Sequence, residues 1–128
     1  MKAAMLVALV LLMVSCGNSA GQKFGTCPTI SQQELFLNRE NNGQHVYAEV
    51  GQRIVICLQT IGGGHYDAPQ ITSKAIRFDR AEFATKQNPG GPTQVYYFTA
   101  TVEGEAQIRI PHTNLNPNVA FMIQVRKG

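Results

Sequence analysis

The clearest pattern in this chain is a repeated alternation of apolar and polar residues in short runs. Between residues 53 and 60, Ile54, Ile56 and Leu58 fall on one face, and Arg53, Cys57 and Gln59 fall on the other. A period of two is typical of a β-strand, because successive side chains point to opposite faces. The strands predicted on this basis cover residues 34–38, 45–50, 53–60, 70–78, 94–102, 106–110 and 120–126.

Clusters of Gly, Pro and Asn separate these runs, as in proteins built from short strands and turns. The pattern predicts an all-β, immunoglobulin-like antiparallel β-sandwich of seven or eight strands with Greek-key connections. Asn42-Gly43 has the composition of a two-residue hairpin turn between the first two strands. Only residues 31–37 and 80–86 have any helical character, so we expect helix to be a minor component.

The first sixteen residues have the order of a bacterial lipoprotein signal. Lys2 is followed by the apolar run 3–14, and the sequence Met13-Val14-Ser15-Cys16 resembles a lipobox. Cleavage before Cys16 would leave a thiol that carries lipid and anchors the mature chain to a membrane. The alternatives are a cleaved secretory peptide and a single membrane span. A span needs about 20 apolar residues, and this run is shorter.

The chain therefore divides into three parts by sequence. Residues 1–15 are the predicted signal peptide, residues 16–30 the lipidated N-terminus and tether, and residues 31–128 a single β-sandwich domain. The predicted location is extracytoplasmic, as a membrane-anchored lipoprotein of the cell envelope. Gly17 stands where an aspartate tends to retain lipoproteins at the inner membrane, so the outer membrane is favoured in a Gram-negative envelope.

Net charge bears on the class of partner, and the cysteine content bears on a possible disulfide. The formal net charge is +3, and the basic residues are scattered rather than clustered, so nucleic acid is not expected as a partner.

With Cys16 assigned to lipid, Cys27 and Cys57 remain as a candidate disulfide in an oxidising envelope. Two unpaired thiols are the alternative, and the sequence does not decide between them, because it cannot show the separation of the two Cα atoms.

Several segments after Val50 match the order of strands and loops in a known family. They are Val50-Gly51, Ile54-Val55-Ile56-Cys57-Leu58, Pro89-Gly90-Gly91, Val95-Tyr96-Tyr97-Phe98-Thr99-Ala100, Gly104-Glu105-Ala106-Gln107-Ile108 and Phe121-Met122-Ile123-Gln124-Val125. Over residues 48–126 the chain resembles the chagasin family, small immunoglobulin-like inhibitors of papain-type cysteine proteases that also occur in bacteria, some as lipoproteins. The resemblance implies a protein partner of the papain-like class.

Members of that family bind proteases with three loops at one end of the sandwich. These carry an Asn-Pro-Thr-Thr-Gly motif, a glycine-rich loop and an Arg-Pro-Trp motif, and the matching segments here are residues 61–69, 88–92 and 111–117. Only the glycine-rich loop is kept. The candidate partner-binding residues are Gly62, Gly63, Gly64, His65, Tyr66, Asp67, Pro89, Gly90, Gly91, His112 and Asn114.

Other readings of these loops stay open at this stage. Glycine and proline can simply shape the turns, and His65, Asp67 and His112 could instead hold a metal ion or a small polar ligand. A non-inhibitory envelope or adhesion module is a further alternative. The sequence contains no nucleophile elbow and no phosphate-binding loop, so we expect a binding protein without enzymatic activity or a cofactor.

Overall fold

The computed structural model describes residues 27–28, 31–60, 63–83, 92–113 and 118–128. The predictions for residues 1–26, including lipidation of Cys16, lie outside the described residues. The strands are β1 Leu35–Asn38, β2 His45–Glu49, β3 Arg53–Gln59, β4 Gln70–Ile71, β5 Ile76–Phe83, β6 Thr93–Ala100, β7 Gly104–Ile110 and β8 Val119–Arg126, with a 3₁₀ helix at Arg39–Asn41. In this part of the chain no helix has the length and apolar character to cross a membrane.

The strands form two four-stranded sheets that pack face to face. One sheet has the order β1-β3-β6-β5 and the other has the order β2-β8-β7-β4. β1 and β2 are consecutive in the chain but lie in different sheets. The predicted all-β sandwich is confirmed.

Two strand pairs differ from the antiparallel expectation. β1 pairs with β3 in parallel, and β2 pairs with β8 in parallel, so both sheets are mixed. The reason is the path of the chain. After β1 it crosses to the opposite sheet as β2 and returns as β3, so β1 and β3 run in the same direction.

The predicted hairpin at Asn42-Gly43 is wrong. Residues 39–41 form the 3₁₀ helix, whose first turn is capped by the Asn38 side chain. The side-chain oxygen of Asn42 accepts a hydrogen bond from the backbone N–H of Ala120 at 2.7 Å, and the N–H of Gly43 donates to the Ala120 carbonyl at 2.7 Å. Asn42 and Gly43 therefore tie a crossover between sheets to the start of β8.

The segment from residue 70 to 86 also differs from its prediction. The single strand expected over 70–78 is divided into β4 and β5, which belong to different sheets. Residues 80–83, which had a helical character by sequence, form the second half of β5. β5 is an edge strand with a bulge between Phe78 and Arg80, and every residue after Ile76 is exposed.

Apolar side chains fill the space between the sheets, as the period of two predicts. Ile54, Ile56 and Leu58 are fully buried, together with Phe98 of β6 and Phe121 of β8. A smaller apolar cluster lies on the outer face of the first sheet. It consists of Val55, Cys57, Val95 and Tyr97, with Phe36 packed against it. The first sheet is therefore apolar on both faces along β3 and β6.

Cys27 and Cys57 are joined by a disulfide in this outer cluster. The sulfurs are 2.01 Å apart and the Cα atoms 5.9 Å apart, across a sequence separation of 30 residues. The pairing that the sequence left open is present in the structure. It fastens the chain ahead of β1 to the outer face of β3.

Candidate functional site

The three predicted loops leave the sandwich from one end, which we call the loop pole. β3 ends and β6 begins there, since Gln59 pairs with Thr93. In the other sheet, the pairing of Ile110 with Val119 places the end of β7 and the start of β8 together. Of the candidate residues, Gly63, Gly64, His65, Tyr66, Asp67 and His112 are described, and Gly62, Pro89, Gly90, Gly91 and Asn114 lie outside the described residues.

The first and third loops are joined by backbone hydrogen bonds. Tyr66 and His112 form an isolated antiparallel bridge. The N–H of Asp67 donates to the carbonyl of Pro111 at 2.8 Å, and the N–H of Thr113 donates to the carbonyl of His65 at 2.9 Å. The loops therefore continue the pairing of the second sheet beyond its strands, which restricts their freedom.

The side chain of Gln94 in β6 holds the first loop through two hydrogen bonds to the backbone of Tyr66. Its side-chain oxygen accepts from the N–H of Tyr66 at 2.7 Å, and its amide nitrogen donates to the carbonyl of the same residue at 2.8 Å. The Tyr96 hydroxyl donates to the carbonyl of Asp67 at 2.8 Å. Burial, and secondarily the negative charge of Asp67, raise the pKa of Tyr96, so its hydroxyl stays a donor at physiological pH.

Tyr66 lies in the core and is 2% exposed. Its ring contacts the ring of His112 edge to face, with centroids 4.7 Å apart. It is one of the predicted partner-binding residues, and the structure places its side chain in the sandwich, with its backbone held against β6 by hydrogen bonds from Gln94. Tyr66 shapes the first loop from inside.

His112 is also buried, and its Nε2 lies 3.4 Å from the hydroxyl of Thr60. Burial lowers its pKa, and the positive charges of His65 and Arg39 lower it further. A neutral imidazole is therefore the form that the fold favours. The described residues contain no group of three His, Cys, Asp or Glu side chains that could hold a metal ion, so His65, Asp67 and His112 do not form such a site.

The described residues of the first loop expose backbone and a few polar side chains. Gly63, Gly64, His65 and Asp67 are all exposed. Gly64 has a φ of +90°, a conformation that side-chain-bearing residues rarely adopt. Nε2 of His65 lies 3.4 Å from a carboxylate oxygen of Asp67, and both side chains are about half exposed. An exposed pair of this kind contributes little to stability, so these groups are available to a partner.

We expect the free energy of unfolding to fall as the pH falls below about 6.5. A lowered folded-state pKa at His112 means that the unfolded chain binds more protons between that pKa and the ordinary value of 6.5. The contribution of neutral His112 to stability is fully present above pH 6.5 and is lost as the pH falls below that value. Urea unfolding at pH 5 and pH 7.5 measures the difference, which His112→Asn should reduce strongly and His65→Asn should reduce less, because His65 only adds to the lowering of the His112 pKa. Equal pH dependence in both variants would contradict the assignment.

Gln94 is the important residue that the sequence analysis missed. Its position could have identified it. Gln94 lies two positions before Tyr96 and four before Phe98, so its side chain is on the same face of the strand, which faces the core. An amide among inward-facing apolar residues must find buried hydrogen-bond partners. Those partners lie 28 residues away in sequence, so the sequence alone did not identify them.

Among the comparisons with known proteins, the similarity to a solved structure supports the fold. No family model matches the chain, and no curated protein matches it. Among solved structures, the chain is similar to the cysteine protease inhibitor EhICP2 from Entamoeba histolytica, with a TM-score of 0.58 and 12% identity over 72% of this chain and 94% of that one. It is also similar to amebosin, with a TM-score of 0.49 and 17% identity over 73% and 98% of the two chains. The predicted resemblance to chagasin-like inhibitors is thus confirmed at the level of fold.

Proposed function

We propose that this protein is a lipid-anchored binding module of the cell envelope that inhibits papain-type cysteine proteases through its loop pole. The observation that carries the proposal is the joining of the first and third loops by backbone hydrogen bonds at the end of an inhibitor-like sandwich. The similarity to a protein described as a cysteine protease inhibitor supports the choice of partner.

Hydrogen bonds that hold the described part of the first loop suit an inhibitor for an energetic reason. Ordering loops on binding costs free energy, and a surface that is already ordered avoids most of that cost. The bonds from Gln94 to Tyr66 and from Thr113 to His65 provide this order before any partner arrives. They hold residues 63–67 of the first loop, which we call the wedge.

The exposed chemistry of the wedge also fits a narrow protease cleft. Gly63 and Gly64 have no side chain beyond Cα, so their backbone can approach another chain closely. His65 and Asp67 follow them in the chain, and they add an imidazole and a carboxylate that can hydrogen-bond a partner. The chain has no tryptophan, so an aromatic anchor of the kind that often dominates interface energy must be replaced by backbone contacts.

Papain inhibition by the mature chain, residues 16–128 carrying Cys16→Ser, tests the proposal. We expect inhibition at micromolar concentrations, which Gly63→Glu should weaken at least tenfold by placing a charged side chain on the wedge. Val102→Glu is the matched control, since Val102 is exposed at the opposite end of the sandwich.

An absence of inhibition at high micromolar concentration, with the chain folded, would reject the protease as partner. Equal loss in Gly63→Glu and Val102→Glu would reject the loop pole as the binding surface. Mass spectrometry of the mature N-terminus addresses the anchor separately, and an unmodified Cys16 would contradict it.

A further inference from the structure

Strand β2 forms an edge of the second sheet and pairs with β8 on one side only. Along a strand, the backbone groups of successive residues point in alternate directions. The N–H of Val50, directly after β2, donates to the carbonyl of Arg126 in β8 at 2.9 Å. The even-numbered residues of β2 therefore direct their backbone groups to β8. The N–H and carbonyl groups of His45, Tyr47 and Glu49 face outwards, along the free edge.

The outward groups of Glu49 are already engaged within the chain. Its N–H donates to the side-chain oxygen of Gln52 at 2.9 Å, and its carbonyl accepts from the N–H of Gln52 at 2.9 Å. His45 and Tyr47 differ from Glu49, because within the described ranges nothing hydrogen-bonds to their outward N–H or carbonyl groups. The free edge of β2 thus offers a donor and an acceptor at each of these two residues.

In the described part of the sandwich, the other three sheet edges are protected in ways that β2 is not. β4 has two residues, and β5 carries a bulge and charged side chains. β1 has four residues, and the N–H of its last residue, Asn38, donates to the side chain of Asn41 at 2.9 Å. β2 keeps one register with β8 over all its five residues and contains neither Pro nor Lys. Because short strands, bulges and edge charges hinder pairing with another chain, β2 is the edge best able to accept one.

We propose that the free edge of β2 pairs with β2 of a second copy of this chain, so that two sandwiches form a dimer about a two-fold axis. Such an axis makes the two strands antiparallel. His45 of each copy then lies opposite Tyr47 of the other, and the two residues exchange both of their backbone hydrogen bonds. All the free groups of the edge are satisfied in this register. Val46 lies on the axis, opposite Val46 of the second copy.

The side chains of β2 fit this register. Tyr47 is 52% exposed, and the guanidinium of Arg126 lies over its ring, 3.7 Å from the centroid. Pairing places this ring beside His45 of the second copy. Glu49 stands diagonally opposite the same histidine, so opposite charges approach each other when the imidazole is protonated, and no like charges face each other along β2. Val46 is half-buried, and its pairing adds an apolar contact at the axis.

Concentration-dependent association tests the proposal, which does not depend on protease inhibition. Each copy contributes one strand of five residues. Because this area is below that of a standard interface, we expect a weak dimer with a Kd of about 100 µM. Sedimentation velocity of residues 16–128 carrying Cys16→Ser, from low micromolar to near-millimolar concentration, should show monomer giving way to dimer. A chain that stays monomeric over this range, or that grows beyond a dimer, would overturn the proposal.

Two substitutions at Tyr47 separate the backbone from the side chain. Tyr47→Pro removes the outward N–H without removing a bond to β8, and proline is tolerated on edge strands for that reason. Each copy loses one hydrogen bond, so the Kd should rise by about tenfold or more. Tyr47→Thr also removes the ring but keeps the N–H and a side chain that suits a strand, so it should raise the Kd much less. Equal weakening by the two variants would overturn the backbone pairing.

Cross-linking tests the register even if Tyr47→Pro does not fold. In the Cys16→Ser chain, with Cys27 and Cys57 bonded, Val46→Cys provides one free thiol. Residues opposite each other in a non-hydrogen-bonded pair have Cα atoms about 4.5 Å apart, within the range of a disulfide. Mild oxidation should therefore give a covalent dimer. Tyr47→Cys is the matched control, since position 47 is more exposed but does not face its own copy. Faster cross-linking at position 47 than at position 46 would overturn the register.

Discussion

Replacing Gln94 by alanine should lower the free energy of unfolding by about 4 kcal/mol, since each buried backbone group left without a partner costs roughly 1–3 kcal/mol. The substitution leaves two such groups, the N–H and the carbonyl of Tyr66, and also removes the contact with the Tyr96 hydroxyl. Thermal unfolding should show the loss as a decrease in Tm of about 15 °C. If the wedge depends on this order, papain inhibition should weaken as well.

Two matched variants separate the amide from a general effect of truncating glutamine. Gln59→Ala removes the same atoms from an exposed position at the end of β3 and should change stability little. Gln94→Glu keeps an acceptor for the N–H of Tyr66 but, when ionised, cannot donate to the Tyr66 carbonyl. Equal stability of Gln94→Ala and the unmodified chain would show that the amide does not hold the first loop.

The Cys27→Ser, Cys57→Ser double variant should lose about 3.5 kcal/mol of stability through the greater freedom of its unfolded chain. The closed bond spans 30 residues. Its loss also frees the segment before β1 from the outer face of the first sheet. Chemical denaturation of both forms measures the change, and reduction of the unmodified chain with dithiothreitol should reproduce it.

Cys16→Ser is the control for this second prediction, because Cys16 takes no part in the disulfide. Its stability in soluble form should equal that of the unmodified mature chain. If the double serine variant unfolds at the same denaturant concentration as this control, the bond does not stabilise the fold.

The sequence predicted the strands well where burial imposes a strict period. β7 and β8 place alternate residues such as Ile108 and Ile123 in the core, so the sequence repeats every two positions. β5 is different because it lies at a sheet edge and is almost fully exposed, so no period marks it. Edge position is set by the pairing with β6, which the local sequence does not contain.

Convergence of the loops was predictable from the fold class, but the orientation of their side chains was not. His65 and His112 look alike in sequence, as polar residues among glycine and proline. The structure exposes the first and buries the second against Tyr66 and Thr60. The difference depends on pairing between loops that are separated by more than forty residues. The Asn42-Gly43 turn was misread for the same reason, since its partner is Ala120.

The exposed edge strand β5 of the first sheet affects whether copies of the protein associate at high local concentration. Arg77, Asp79, Arg80 and Glu82 project from β5, and the bulge beside Phe78 interrupts its register. Charges and a bulge on an outer strand hinder it from adding a strand of a neighbouring molecule. At high local concentration, copies of the protein are thus hindered from pairing edge to edge into extended sheets.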